Sequence, residues 1–419
     1  MSQPAFHFVV FGATSFVGQI LTRYLLQSCG VGQEINWAIA GRSSAKLNEL
    51  KTSLGEAASD LPVLIADAAD DAQLQTMCAQ TRAIVSTVGP YALYGEPLVR
   101  ACAESGTDYC DLTGEPQWIR RMLDKYESAA QSSGARIVHS CGFDSVPSDM
   151  GVYFLQQQAG KRFGQPLTNV HMRVKAAKGG MSGGTIASII ELTKEVIAEP
   201  SLRKLLANPY ALCPTGHPYK TRQYNQKGVD KDTDLNSWTV PFIMAAINTR
   251  IVHRSNAIRQ HAYGENFRYE ESMLSGRGMR GWLTGAALVG AMGAFMLGAA
   301  MKPTRALLEK FILPKPGEGP SPAAQEAGYY DIRFIGRTDD NQTLLTRVTG
   351  DKDPGYGSTA KILGEAIISL ACDLHDQDGN KNHRSGGFWT PASVFDDRYI
   401  DRLTANAGLT FEVLNPTEA

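Results

Sequence analysis

No C-x-x-C pair occurs in the sequence, and its seven cysteines (Cys29, Cys78, Cys102, Cys110, Cys141, Cys213 and Cys372) are scattered and odd in number. That excludes a zinc-ribbon or disulfide-framed scaffold and points to a reducing compartment. An excess of either charge is also missing, because 41 basic and 42 acidic side chains leave a net charge of −1. The basic footprint expected of a nucleic-acid-binding domain is therefore absent, and no nucleic-acid partner is expected. MSQPAFHFVVFGA has no basic n-region and only a short apolar run, so no secretory leader is expected. No internal repeat is visible. What is present is a globular composition, 43% apolar and 20% charged over 419 residues, long enough for two or three domains.

The first 150 residues alternate short β-branched runs with helical stripes. Phe6–Phe11 reads as a strand buried on both faces, and Val17, Ile20, Leu21, Tyr24 and Leu25 form one apolar face of the helix after it. Further strands are predicted at Asn36–Ala40, Pro62–Ala66, Ala83–Val88, Asp108–Leu112 and Arg136–Cys141, with helices between them. Strands separated by helices of this length imply an α/β fold with a doubly wound parallel sheet.

GATSFVG bridges the first strand and the first helix. Gly12 permits the tight turn, Gly18 lets the helix pack on the sheet, and the amides of Ala13, Thr14, Ser15, Phe16 and Val17 open a helix N-terminus suited to a pyrophosphate. Ser15 stands where a middle glycine is usual. The second strand ends AIAGRSSAK, with Arg42 and Ser43 where an NAD site carries a carboxylate. An arginine fork there accommodates a 2′-phosphate, with Lys46 adding charge, so NADP(H) is expected over NAD(H). Asp67 is placed to reach the adenine, and Thr87, Val88, Gly89 and Pro90 to line the nicotinamide side. No cluster with metal-ligand spacing stands out, and no metal is expected.

The blocks GATSFVG, AGRS, STVGPYALYGEPLVRACAESGTDYCDLTGE and CGFDSVPSDMG resemble the saccharopine dehydrogenase family, in its branch of saccharopine dehydrogenase-like oxidoreductases and trans-acting enoyl reductases. Later blocks are similar to that branch too: SGGT at Ser182–Thr185, LPKPGEGPS, DPGYGSTAKILGEA and TPAS. The resemblance implies a Rossmann-type NADP-binding domain over residues 1–150, a substrate domain over 151–352 and a segment 353–419 packing back on the first. It also implies an oxidoreductase that reduces double bonds in lipid or polyketide-type intermediates, free or carrier-bound.

In the second half, Leu167–Ala176, Tyr330–Gly336 and Thr343–Thr349 alternate with period two and predict antiparallel strands of an α+β domain with a mixed sheet. Helices are expected at Thr185–Ile197, Ser358–Asp373 and Pro391–Asn406, and Lys204–Asp234 reads as a long surface excursion or lid. Between Arg280 and Lys302 lie 21 residues without a charge, GWLTGAALVGAMGAFMLGAAM. As a helix they would be roughly 31 Å long, about one bilayer core. One reading is a buried helix or tight homodimer contact. The other is membrane contact on the cytoplasmic side, spanning or surface-lying, with Arg277, Arg280, Lys302 and Arg305 as anchors and the amphipathic Thr304–Leu313 beside it.

Hydride transfer is the cofactor's own chemistry, so the protein must align the substrate and supply a proton. No Tyr-x-x-x-Lys relay occurs. Candidate groups on loops after sheet strands are Tyr91, Tyr94, Asp111, Glu115, Asp144 and Ser145, with Tyr91 the first choice as donor. Against these stand blander roles: the Tyr91 ring packs on the cofactor, Asp144 caps the helix that Pro147 begins, and His139 is a core histidine. An NADP-binding scaffold without catalysis, or a soluble amino-acid dehydrogenase using Arg173, Lys175 and Lys178, are the competing functions.

Overall fold

The structure is a computed structural model describing residues 4–179, 183–301, 303–304, 319–375 and 385–415. Its strands are β1 (Phe6–Phe11), β2 (Trp37–Gly41), β3 (Val63–Ile65), β4 (Thr81–Ser86), β5 (Asp108–Asp111), β6 (Arg136–Val138) and β7 (Asn169–Lys178). They continue with β8 (Asp230–Asp232), β9 (Ser237–Pro241), β10 (Arg268–Gly276), β11 (Tyr329–Arg337), β12 (Thr343–Gly350), β13 (Gly387–Trp389) and β14 (Leu409–Leu414). The helices used below are α1 (Phe16–Cys29), α2 (Ser44–Leu54), α3 (Asp71–Cys78), α4 (Tyr91–Tyr94), α5 (Glu96–Ser105) and α6 (Pro116–Ser133). After them come α7 (Val146–Phe163), α8 (Gly183–Ala198), α9 (Leu202–Ala207), α10 (Ala245–Ile258) and α11 (Gly278–Ala300). The chain divides into one unit of Met1–Asp144 with Tyr356–Ala407 and another of Ser145–Gly355 with Gly408–Ala419.

In the first unit the sheet order is β13-β6-β5-β4-β1-β2-β3, all parallel. Phe8, Val9 and Val10 of β1 are fully buried because helices cover both faces, which is why the strand reads as an unbroken apolar run. β1 and β4 lie side by side while the crossovers run outward in opposite directions, so a crevice opens beyond their C-terminal ends, where such sheets bind ligands.

One buried ion pair ties the far side of this sheet together. Asp108 accepts from the Arg136 backbone amide at 2.8 Å and its Nε at 2.9 Å, and from His375 Nε2 at 2.9 Å. Removing one member of a buried pair leaves the other desolvated and uncompensated, which costs about 3–5 kcal/mol. Asp108→Ala is therefore expected to destabilise this unit by about that amount. A denaturant midpoint within error of wild type would refute it.

In the second unit the order is β14-β12-β11-β7-β10-β9-β8, with β7 and β10 parallel and the other pairs antiparallel. This is a mixed sheet, packed by α7 and α10 on one face. Gly151 of α7 is where the helix presses on it, since a Cβ there would stand 2.3 Å from Cζ of Phe334. The final strand, β14, pairs with β12 and so belongs to this unit, while β13 joins the sheet of the first.

Several elements differ from expectation. The helix predicted at Pro391–Asn406 is two, Pro391–Val394 and Asp397–Ala405, because Asp396 breaks off and caps the second by accepting from the amide of Arg398 at 3.1 Å. The Ser358–Asp373 helix is α-helical over Thr359–Ile368, with a wider π turn at each end. The Lys204–Asp234 stretch is less of an excursion than its composition suggests. Tyr210 donates to the Thr221 carbonyl at 2.6 Å, Gln223 to the Phe267 carbonyl at 2.9 Å, and its last residues form β8.

The uncharged stretch is α11, and it is not buried within the chain. Its N-terminal part packs on β9 and β10, where a Cβ on Gly281 would stand 2.2 Å from the carbonyl carbon of Gly276, so only glycine permits the contact. Residues 180–182, 302 and 305–318 lie outside the described residues. That covers Ser182 of the SGGT block, Lys302, Arg305 and nearly all of the amphipathic Thr304–Leu313 segment.

Candidate nucleotide and active site

β1 ends at Phe11 and the chain turns at once through Gly12, whose φ of +83° only glycine adopts easily. A Cβ at Gly12 would lie 2.6 Å from Cγ2 of Val88, and one at Gly18 2.3 Å from the Gly12 carbonyl oxygen. Both glycines are required by close backbone approach. Ser15 explains its own departure from the usual glycine: it is the N-cap of α1, accepting from the Gly18 amide at 2.9 Å. Its hydroxyl also donates to Thr87 Oγ1 at 2.9 Å, and Thr87 donates to the Gly12 carbonyl at 2.9 Å. The loops leaving β1 and β4 are thus clipped together by two hydroxyls.

The amides of Gly12 and Ala13 donate to the Ala40 carbonyl, and that of Ser15 to Gly12. No acceptor is present for the amides of Thr14, Phe16 and Val17 among the described residues. Unpaired donors at the head of a 14-residue helix, beside a turn with no side chain, fit a diphosphate.

Arg42 is exposed directly after β2 and has no ion pair or hydrogen bond among the described residues. Ser43 caps α2, accepting from the Lys46 amide at 3.3 Å. Asp67 accepts from the Ala69 amide at 3.0 Å through Oδ1, while its own amide is held by Gln73, so it stands in an ordered turn past β3. A guanidinium without an acidic partner, where a ribose-binding carboxylate would otherwise sit, suits a 2′-phosphate. Arg42→Ala is expected to weaken NADPH binding by about 10- to 100-fold, the worth of a charge-assisted hydrogen bond, and to leave NADH unchanged. Fluorescence titration with both nucleotides checks this; equal losses would defeat it.

β4 delivers Thr87, Val88, Gly89 and Pro90, then Tyr91 at the start of α4. Tyr91, the first choice as proton donor, is buried, and its hydroxyl donates to the Ser86 carbonyl at 2.9 Å. The Leu112 amide donates to the Tyr91 hydroxyl oxygen at 3.4 Å, and the ring packs on Trp118 at 5.3 Å. Burial, with Asp111 nearby, drives its ionisation far upward. That hydroxyl is committed to the backbone, and the ring is a core element packed on Trp118.

Of the carboxyls, Asp111 is fully engaged: it accepts from the amides of Thr113 and Ser140 at 3.0 Å each, from Tyr109 at 3.0 Å, and pairs with His139 Nδ1 at 2.6 Å. His139 is buried among Tyr109, Trp118 and Phe388, a core position. Glu115 accepts from the amides of Tyr91 and Ala92 at 3.0 and 2.8 Å and so holds the start of α4. Asp144 differs. It is half-buried and pairs with no other side chain among the described residues. Burial, with the Asp111 carboxylate adding to it, pushes its carboxyl up to about 7. The N-cap position of α7 is Ser145, which makes no side-chain cap.

Ser145 begins the second unit, fully buried, with its hydroxyl donated to Asn248 Oδ1 at 2.9 Å. Asn248 in turn donates to Ser148 and to Glu271, each at 3.0 Å. Asn248 and Glu271 lie about a hundred residues downstream, and nothing in their sequence surroundings marks them as partners of Ser145. Thr359, which accepts from the Phe143 amide at 3.1 Å, was foreshadowed only by the DPGYGSTAK block around it.

The saccharopine dehydrogenase NADP binding domain model matches residues 8–138, which span the two clipped loops and Arg42. A putative trans-acting enoyl reductase of Mycobacterium tuberculosis is 42% identical over 416 residues, covering 97% of each chain. The chain belongs to the saccharopine dehydrogenase family, in its trans-acting enoyl reductase branch. A trans-acting enoyl reductase of Mycobacterium ulcerans is 37% identical over 413 residues, covering 96% of each chain. Among solved structures, the yeast saccharopine dehydrogenase (L-Glu forming) aligns with a TM-score of 0.51 at 10% identity over 97% of this chain and 99% of that one, a likeness of fold alone. Family membership and the cradle agree: the protein is an NADP-dependent oxidoreductase and binds NADP(H).

Proposed function

We propose that the protein reduces the C=C bond of an enoyl thioester, a lipid or polyketide-type intermediate presented on a carrier, at the cytoplasmic surface of a membrane. Asp144 carries this reading, because among the candidate carboxyls Asp111, Glu115 and Asp144 it alone pairs with no other side chain among the described residues, stands near Tyr91, and has its carboxyl pushed up to about 7 by burial. Bound NADPH supplies the hydride that the β carbon receives. Asp144 gives its proton to the α carbon and is reprotonated from water, so that one C=C is reduced for each NADPH oxidised. Glu115 and Asp111 hold the backbone around the site, and Tyr91 packs on Trp118 in the core. The enoyl reductase names of the relatives support the reaction class.

The test is NADPH oxidation with a soluble enoyl-pantetheine thioester, with the saturated acyl product identified by mass spectrometry. No product under saturating NADPH would end the proposal. The pH profile follows from the same carboxyl. A donor must carry its proton, and the raised value keeps Asp144 protonated below about 7. Turnover should hold below that pH and fall about tenfold per pH unit above it.

A further inference from the structure

We infer that α11 is a lipid-docking helix lying in the plane of a membrane interface, with its Met279–Leu283–Leu297–Met301 stripe inserted and its N-terminal end held on its own domain through Gly281 and Gly285. This deepens the membrane part of the reading above and does not depend on the reduction step.

The argument starts from angular position. At 100° per residue, Gly281, Gly285, Val289, Met292 and Ala299 fall on one side of the helix and are buried or half-buried, although Leu288 and Met296 on that side are exposed. The seat of the helix on the domain is at its N-terminal end, where Gly281 approaches Gly276 and Gly285 approaches Ser275 and Val240, while nothing stands within 4 Å of a Cβ on Gly290 or Gly293. On the opposite side are Met279 at 73% exposure, Leu283 at 55% and Leu297 at 68%, with Ala287, Gly290 and Ala294 between them. An ordinary surface helix is polar on its outer face, whereas this one is apolar all round. No Asp, Glu, Lys or Arg interrupts it from Gly281 to Met301. A continuous exposed apolar stripe roughly 30 Å long is a surface that water does not tolerate without a partner.

Length and composition alone would also suit a spanning helix, but the packing selects between the two. Because Gly281 and Gly285 seat the N-terminal part of α11 on β9 and β10, only Ala286–Met301 stands clear of those strands, roughly 24 Å of helix against a hydrocarbon core of about 30 Å, so crossing a bilayer would carry β9 and β10 in with it. β10 brings Arg268, Glu270 and Glu271, and β8 beside β9 brings Asp230 and Asp232. Such charges are excluded from hydrocarbon. A helix lying flat needs no such burial. Trp282 sits at the flank of the outer stripe, the level a tryptophan favours, and Arg277 and Arg280 stand at its N-terminal end, where anionic headgroups would meet them.

The experiment uses the full chain with phosphatidylcholine/phosphatidylglycerol vesicles. The chain should float with vesicles, and Leu283→Asp and Leu297→Asp should each weaken this on the order of tenfold. Both side chains are exposed, so NADPH affinity and circular dichroism should not change. Trp282 emission, isolated by subtracting Trp282→Phe, should be quenched more by shallow than by deep brominated lipids. Absence of flotation, or a vesicle-independent dimer abolished by Leu283→Asp, would overturn the inference. So would deep quenching with protease protection of the chain beyond residue 303, the mark of a spanning helix. NADPH oxidation assayed without vesicles separates the two claims: its failure with intact flotation defeats the reductase reading and leaves this one standing.

Discussion

Asp144→Asn is expected to lower the turnover of an enoyl thioester by about 10²- to 10⁴-fold, the usual contribution of a positioned general acid, with NADPH affinity unchanged. Asparagine keeps the shape and removes the transferable proton, so a structural role for the side chain would leave turnover nearly intact. The residual rate should also lose the fall above about pH 7 that Asp144 imposes. A variant that stays slow but keeps the same pH profile would place the acid elsewhere. Tyr91→Phe offers the contrast. It removes a hydroxyl that binds the Ser86 carbonyl, so its expected effect is on stability, about 0.5–1.5 kcal/mol for one hydrogen bond, with a much smaller change in turnover.

The second large effect is expected at Gly12→Val. The substitution puts a β-branched side chain where φ is +83° and where even a Cβ would meet Val88 and Thr87. Left-handed strain of about 1–3 kcal/mol and overpacking of about 1–3 kcal/mol fall on the same turn. The clip through Ser15 and Thr87 then cannot close, and the amides of Thr14, Phe16 and Val17 lose their alignment. NADPH binding should weaken by at least about a hundredfold. Calorimetric titration showing wild-type affinity would remove the diphosphate from this turn.

Much of the first unit was legible because helix and strand periods alternate in short, well-punctuated runs, and because glycine has few substitutes where backbones touch. Ser15 was visible as an anomaly, but its capping and clipping role depends on Thr87, 72 residues away. β13 and the break at Asp396 were missed because a three-residue strand has no period and a cap inside a helical stripe looks like one more polar position. At the site, the candidate carboxyls looked equivalent in sequence. Only their hydrogen bonds distinguish Asp111 and Glu115, which bind the backbone amides of other residues, from Asp144, which meets only its own backbone among the described residues. For α11 the residue types alone suit a buried core, a dimer contact or a lipid surface, and which side faces outward is a property of packing.

The placement of β13 and β14 has a consequence for how the protein is made. The first unit needs Gly387–Trp389 beside β6, and the second needs Leu409–Leu414 beside β12, so each sheet receives one of its strands only after all its others have been synthesised. Until then β6 and β12 have open edges, a situation that favours mispairing and association with chaperones. A nascent chain stalled before residue 387 should therefore be protease-sensitive in both halves at once, and cutting the gene at a single junction will not yield either half as an independently folding piece.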